Sequence, residues 1–226
     1  MLHDFTSSAL FGLALSLLFY LFGVWLNKKI KTPLVNPLLV AVVLVLSILS
    51  IFDIPMEDFM SGGSIIAAFL TPATVALALS IYNQRKTLKA YFFPVVLGCF
   101  AGSVTSMGSI YLMCRLFKLD ETLTMTLLPK SVTTPIAMSI SEGLGGIPSV
   151  TVAMVVGTGI LGALICPILI QLFEVKDPVA QGVATGTCSH AIGTSKVMEL
   201  GELQGAMSSI AIGIAGLLTS FIALFL

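Results

Sequence analysis

Apolar residues run along this chain in blocks too long for the core of a small soluble domain. Six windows without an acidic or basic side chain, 5–27, 32–52, 59–84, 90–114, 143–173 and 203–226, reach the length of a membrane span. A helix needs roughly 20 such residues to cross about 30 Å of hydrocarbon. Two further segments, 122–141 and 178–198, are apolar enough to enter a membrane and poor as simple spans, since Lys130, His190 and Lys196 sit in them among many Gly, Ser and Thr. The pattern predicts an all-α polytopic membrane protein with about 6–8 transmembrane segments. Broken or re-entrant half-helices are expected at 71–72, 129–135 and 186–194. In lipid, irregular backbone is tolerated only where protein buries it or a wet cavity receives it.

Composition supports this picture. Of the 226 residues 57% are hydrophobic and 10% charged, with a mean hydropathy of +1.06, whereas soluble domains carry about 25% charged residues. Net charge is zero, so no basic field would draw nucleic acid. The cysteines, Cys99, Cys114, Cys166 and Cys188, fall singly and form no C-x-x-C pair. They read as small buried hydrophobes, and neither a disulfide framework, a metal site nor a cofactor is expected. The opening MLHDFTSSALFGLALSLLFYLFGVW lacks a basic leader and carries Asp4, so it reads as a retained first span.

Basic residues orient the chain. Lys28, Lys29 and Lys31 follow the first span and Arg85, Lys86 and Lys89 follow the third. Asp53, Glu57 and Asp58 lie between the second and third. The asymmetry places the N-terminus outside. LTPATVALALSI at 70–81 and TTPIAMSI at 133–140 both set Thr-Pro before a small-residue run ending in Ser-Ile. Two readings stay open: inverted repeats of roughly 1–118 and 119–226 within one integral membrane transport domain, or coincidence, since Thr-Pro is common at helix starts.

The polar segments carry the candidate chemistry. In LLPKSVTTPIAMSI, Pro129 and Pro135 discourage one continuous helix, and Thr133 or Thr134 can cap a helix opening at Pro135. The N–H groups of that start carry partial positive charge, and Lys130 adds a full one beside Ser131. A lysine at the bilayer centre costs about 2.5–3.5 kcal/mol, so the segment reads as an anion-binding pocket. The alternative is a lysine that snorkels to the interface. In GVATGTCSHAIGTSKV, the groups Thr187, Ser189, His190, Thr194 and Lys196 lie among glycines, of which Gly186 and Gly193 permit a hinge. His190 could meet a carboxylate or carry a proton, or be a satisfied buried group. Thr71 and Pro72 mark the remaining break. Glu142 could neutralise Lys130 or sit at a helix end. Ser, His and Lys are available for nucleophilic catalysis, but neighbours on a helix do not face each other, and no G-x-S-x-G or H-E-x-x-H motif appears, so no enzyme is expected.

LLPKSVTTPIAMSI with the following EGLGGIPSVTVA, and GTCSHAIGTSKVMELGE, closely resemble the LrgB/CidB membrane-protein family, over nearly the whole chain and including Asn36-Pro37. The resemblance implies a bacterial inner-membrane protein and two stories. In one, members are antiholin-like or holin-like and modulate murein hydrolase export and autolysis. In the other, relatives carry small carboxylates: glycolate and glycerate in the chloroplast envelope, pyruvate in bacteria. A small LrgA/CidA-type membrane partner is implied as well. A holin associates into a large lesion and needs no selective pocket, whereas a carrier needs two polar motifs that meet near the midplane. The sequence favours the carrier of small 2-hydroxy- or 2-oxo-monocarboxylates, working by alternating access as a homo-oligomer for which a dimer would suffice.

Overall fold

The computed structural model of the protein describes residues 6–30, 35, 37–69, 72, 75, 79 and 82–226. Among these residues all regular structure is helical, and the chain packs as two units, Met1–Ala73 and Thr74–Leu226. The first holds α1 (Ala9–Ile30), α2 (Pro37–Ile51) and α3 (Met56–Ala67), with α2 and α3 both against α1. Glycine lets α1 and α3 touch backbone to backbone. A methyl added at Gly12 would lie 2.2 Å from the Phe59 carbonyl oxygen, and one at Gly62 2.2 Å from that of Ala9. Small residues serve this purpose where lipid supplies no hydrophobic drive between helices.

The second unit holds α4 (Arg85–Ala90), α5 (Phe92–Leu116), α6 (Glu121–Leu127), α7 (Thr134–Gly143), α8 (Pro148–Leu172), α9 (Pro178–Val197) and α10 (Glu202–Ala223). Helices α1, α5, α8 and α10 are long and apolar enough to cross a membrane, and α2 is a shorter apolar helix. The chain is a multi-pass membrane protein.

Helix α9 is surrounded by α5, α8 and α10. Val95 and Cys99 of α5, Val179 and Val183 of α9, and Met207, Ile210, Ala211 and Ala215 of α10 form one buried core. Methyls added at Gly182 and Gly186 would stand 2.4 Å and 2.3 Å from the carbonyl oxygens of Gln204 and Ser208, so α9 and α10 lie in backbone contact. The low hydropathy of 178–198 thus has a physical cause: protein covers most of this helix, leaving exposed a stripe that includes Ala184, Cys188, Ala191 and Ser195, and the buried hydroxyls of Thr185, Thr187 and Thr194 bond inside the bundle.

The predicted segments are reshaped in particular places. The 122–141 segment divides into α6 and α7, separated by a turn over 128–133. Asp120 starts α6, its carboxylate accepting from the Leu123 N–H at 2.7 Å, and Pro135 lies in the first turn of α7. The long window 143–173 does not begin as helix. Gly145, at φ +77°, follows the end of α7 in the left-handed region, and α8 starts at Pro148. The run 178–198 forms α9, interrupted at His190, where φ is 42° and ψ −139°. Of the Thr71–Pro72 break only Pro72 is among the described residues; Thr71 and most of LTPATVALALSI lie outside them.

Candidate functional site

The polar turn over 128–133 is held from below by a buried hydroxyl cluster. Thr126 Oγ1 lies 2.7 Å from the Thr122 carbonyl and accepts from the Ile147 N–H at 2.8 Å. Thr151 Oγ1 lies 2.9 Å from the Thr126 carbonyl and 2.7 Å from Ser141 Oγ. The single Thr151 proton is thus shared between the Thr126 carbonyl and Ser141 Oγ, both of which accept from it. Thr126, Ser141 and Thr151 are all fully buried, so α6, α7 and α8 are clamped together just beneath the turn. Leu128 and Pro129, the first residues of the turn, are also fully buried, Leu128 against Met107 of α5 and Ala223 of α10.

Above the clamp opens a cleft of about 750 Å³ walled by α5, α8, α9 and the turn. Its polar groups come from Thr105, Ser106 and Ser109 of α5, Lys130 and Ser131 of the turn, Thr158 of α8, and Cys188 and Ser189 of α9. Ser131 Oγ sits 2.7 Å from Ser106 Oγ, and Lys130 Nζ donates to Ser131 Oγ at 3.4 Å. Among the described residues the one ion pair is that between Lys196 and Glu199. The Lys130 charge therefore faces hydroxyls without a carboxylate. Glu142, a candidate counter-charge, is exposed in the last turn of α7 and makes no such pair. The rest of the wall is apolar or glycine, including Gly102, Gly157, Leu161, Gly162 and Ile165.

Thr133 occupies the N-cap position of α7, yet its side chain caps nothing. Its Oγ1 is the one buried side-chain oxygen or nitrogen among the described residues without a hydrogen-bond partner. An unsatisfied buried hydroxyl costs about 1–3 kcal/mol. Thr134 follows as the first residue of the helix, half-buried.

The second polar segment is distributed differently. Ser189 lines the cleft, but Thr187 donates to Cys99 Sγ at 3.4 Å, tying α9 to α5. His190 is buried, its Nε2 3.0 Å from the Val155 carbonyl of α8. Thr194 Oγ1 donates to the His190 carbonyl at 2.7 Å and accepts from Ser208 of α10, also at 2.7 Å. Lys196 turns to Glu199 at the partly exposed end of α9. Gly186 and Gly193 are helical, and the break lies between them at His190. Gly186 is occupied by contact with α10, and Gly193 would place a methyl 2.3 Å from Ser189 Cβ. The structure thus gathers Lys130, Ser131 and Ser189 at one cleft, sets Thr133 and Thr134 at the adjoining helix start, and uses Thr187, His190 and Thr194 for packing.

Sequence reading missed the α5 contribution. Gly102, Thr105, Ser106 and Ser109 follow the i, i+3, i+4, i+7 spacing of a single helix face, a polar stripe visible within an otherwise apolar span. Among the described residues no three of His, Cys, Asp and Glu group as metal ligands.

The LrgB-like family matches residues 16–226. Similar relatives include an antiholin-like protein LrgB of Bacillus subtilis (strain 168), 37% identical over 95% of this chain and 93% of its own length. An antiholin-like protein LrgB of Bacillus mycoides (strain KBAB4) is 36% identical over 95% and 94%. An uncharacterized protein YxaC of Bacillus subtilis (strain 168) is 37% identical over 89% and 88%. No solved structure matches.

Proposed function

This chain belongs to the LrgB-like family, and on that premise we propose that it is an antiholin-like protein of a bacterial inner membrane that restrains murein hydrolase export and autolysis. The observation that carries this reading is its 36–37% identity, across nearly the full length of both chains, to proteins of that name. A small LrgA/CidA-type membrane protein is the expected partner. Restoring the chain to a bacterium that lacks its own copy is expected to slow detergent-triggered autolysis. An unchanged lysis rate, with the protein verified in the membrane and the partner present, would overturn the proposal.

One observation favours a second reading. A cationic, hydroxyl-lined cleft at a broken helix suits a small organic anion better than it suits a large lesion. A carboxylate takes charge-assisted hydrogen bonds, and Lys130, Ser131, Ser106 and Ser189 supply donors around one space. Under this reading the protein carries small 2-hydroxy- or 2-oxo-monocarboxylates by alternating access. Purified protein in liposomes should then take up labelled glycolate, glycerate or pyruvate. Uptake no greater than that of empty liposomes for all three sinks the carrier, and leakage of an encapsulated dye supports a pore.

A further inference from the structure

Two cysteines approach each other on the wall of the cleft. Cys166 of α8 and Cys188 of α9 place their sulfurs 3.5 Å apart, and both line the open space. Cys188 is exposed and Cys166 is buried behind it. Ser189 Oγ stands beside both, 3.0 Å from Cys188 Sγ and 3.5 Å from Cys166 Sγ. The other cysteines, Cys99 and Cys114, are buried elsewhere on α5. Thus the chain holds one accessible thiol with a second thiol directly behind it, and a hydroxyl able to donate to a thiolate on either.

We propose that Cys166 and Cys188 form a reversible dithiol–disulfide site that staples α8 to α9 across the cleft. A disulfide needs an S–S distance of about 2.05 Å, so the sulfurs have to close by roughly 1.5 Å. The oxidant is a low-molecular-weight disulfide such as glutathione disulfide, small enough for the cleft. The Cys188 thiolate attacks one of its sulfurs, forming a mixed disulfide and releasing one glutathione thiolate. The Cys166 thiolate then attacks Cys188 Sγ and releases the second. Two protein thiols lose two protons and two electrons, and one glutathione disulfide becomes two glutathione thiols. The new bond lies two residues before the His190 break, so it fixes the first half of α9 to α8 and narrows the wall that Ser189 shares. The site depends on neither reading of the protein's function.

The full-length protein in lipid nanodiscs tests this directly. After glutathione disulfide, removal of excess reagent and denaturation, maleimide labelling is expected to find two reactive thiols where the reduced protein shows four, with dithiothreitol restoring the four. Peptide mass spectrometry should place the bridge between Cys166 and Cys188 within one chain. Cys166→Ser should trap a glutathione adduct on Cys188, whereas Cys188→Ser should leave Cys166 unmodified. The wild-type experiment decides the matter even if either variant folds poorly. Four thiols surviving a treatment that oxidises a control dithiol would overturn the proposal. So would a bridge that uses Cys99 or Cys114, or bridges only between two copies of the chain. An adduct on Cys166 in Cys188→Ser would overturn the order of attack.

Discussion

The two broken helices of the second unit solve one problem in opposite ways. Each interrupts the backbone inside a membrane protein, where stranded polar groups are expensive. At His190 the break is closed on itself. The imidazole meets the Val155 carbonyl, and Thr194 joins the His190 carbonyl to Ser208. At 128–133 the break is left open. Lys130 faces hydroxyls in a cleft without a carboxylate partner, and the Thr133 hydroxyl has none at all. One break satisfies its own groups; the other leaves, among the described residues, a lysine with no carboxylate partner and a hydroxyl with no hydrogen bond.

The contrast can be broken at its strongest point by exchanging the lysines. If the protein carries small carboxylates as in the second reading, Lys130→Ala is expected to lower their binding or uptake at least tenfold, as loss of a charged hydrogen bond worth about 1.5–3 kcal/mol requires. Lys196→Ala, which removes only a partly exposed ion pair, should change it less than twofold. Equal losses in the flux assay would erase the distinction between the breaks. Next in size is the clamp beneath the open break. Thr151→Val leaves Ser141 and a buried carbonyl short of a partner, at a cost of about 1–3 kcal/mol in reversible unfolding in detergent.

A finer test compares glycine and alanine at the closed break. His190 holds φ at 42°, a strain of about 1–3 kcal/mol for a residue with a Cβ. Both substitutions lose the bond to Val155, but His190→Gly should melt above His190→Ala, the reverse of their order in an ordinary helix. The smallest effect is expected at Thr133. Thr133→Val removes a buried hydroxyl with no partner, so stability should hold or rise by a few tenths of a kcal/mol. Thr194→Val, which takes a partner from Ser208, should destabilise by about 1 kcal/mol and leave binding unchanged.

Much of this was legible before any coordinates. The prolines at 129 and 135 discourage an unbroken helix for a local reason, loss of a donor and a steric clash, and the chain does divide there. The break at His190 was legible only as a window, 186–194, because glycines advertised freedom at Gly186 and Gly193 while packing used both for close contact. Either Thr133 or Thr134 could have capped the helix start; Thr133 takes the N-cap position without a capping hydrogen bond, and Thr134 is the first helical residue. Serines 106 and 109 were hidden by their setting in a strongly apolar span, although their helical spacing carried the signal.

By itself the sequence determined the solvent, the class and the places where helices fail, since hydropathy, proline and glycine act over a few residues. Only the tertiary structure decided which polar side chains share a space. Lys130, Ser106 and Ser189 lie on three separate segments, and His190 looked as ready for a ligand as Lys130 did. Their surroundings differ: a carbonyl on α8 is in reach of the imidazole, and among the described residues no carboxylate pairs with the lysine.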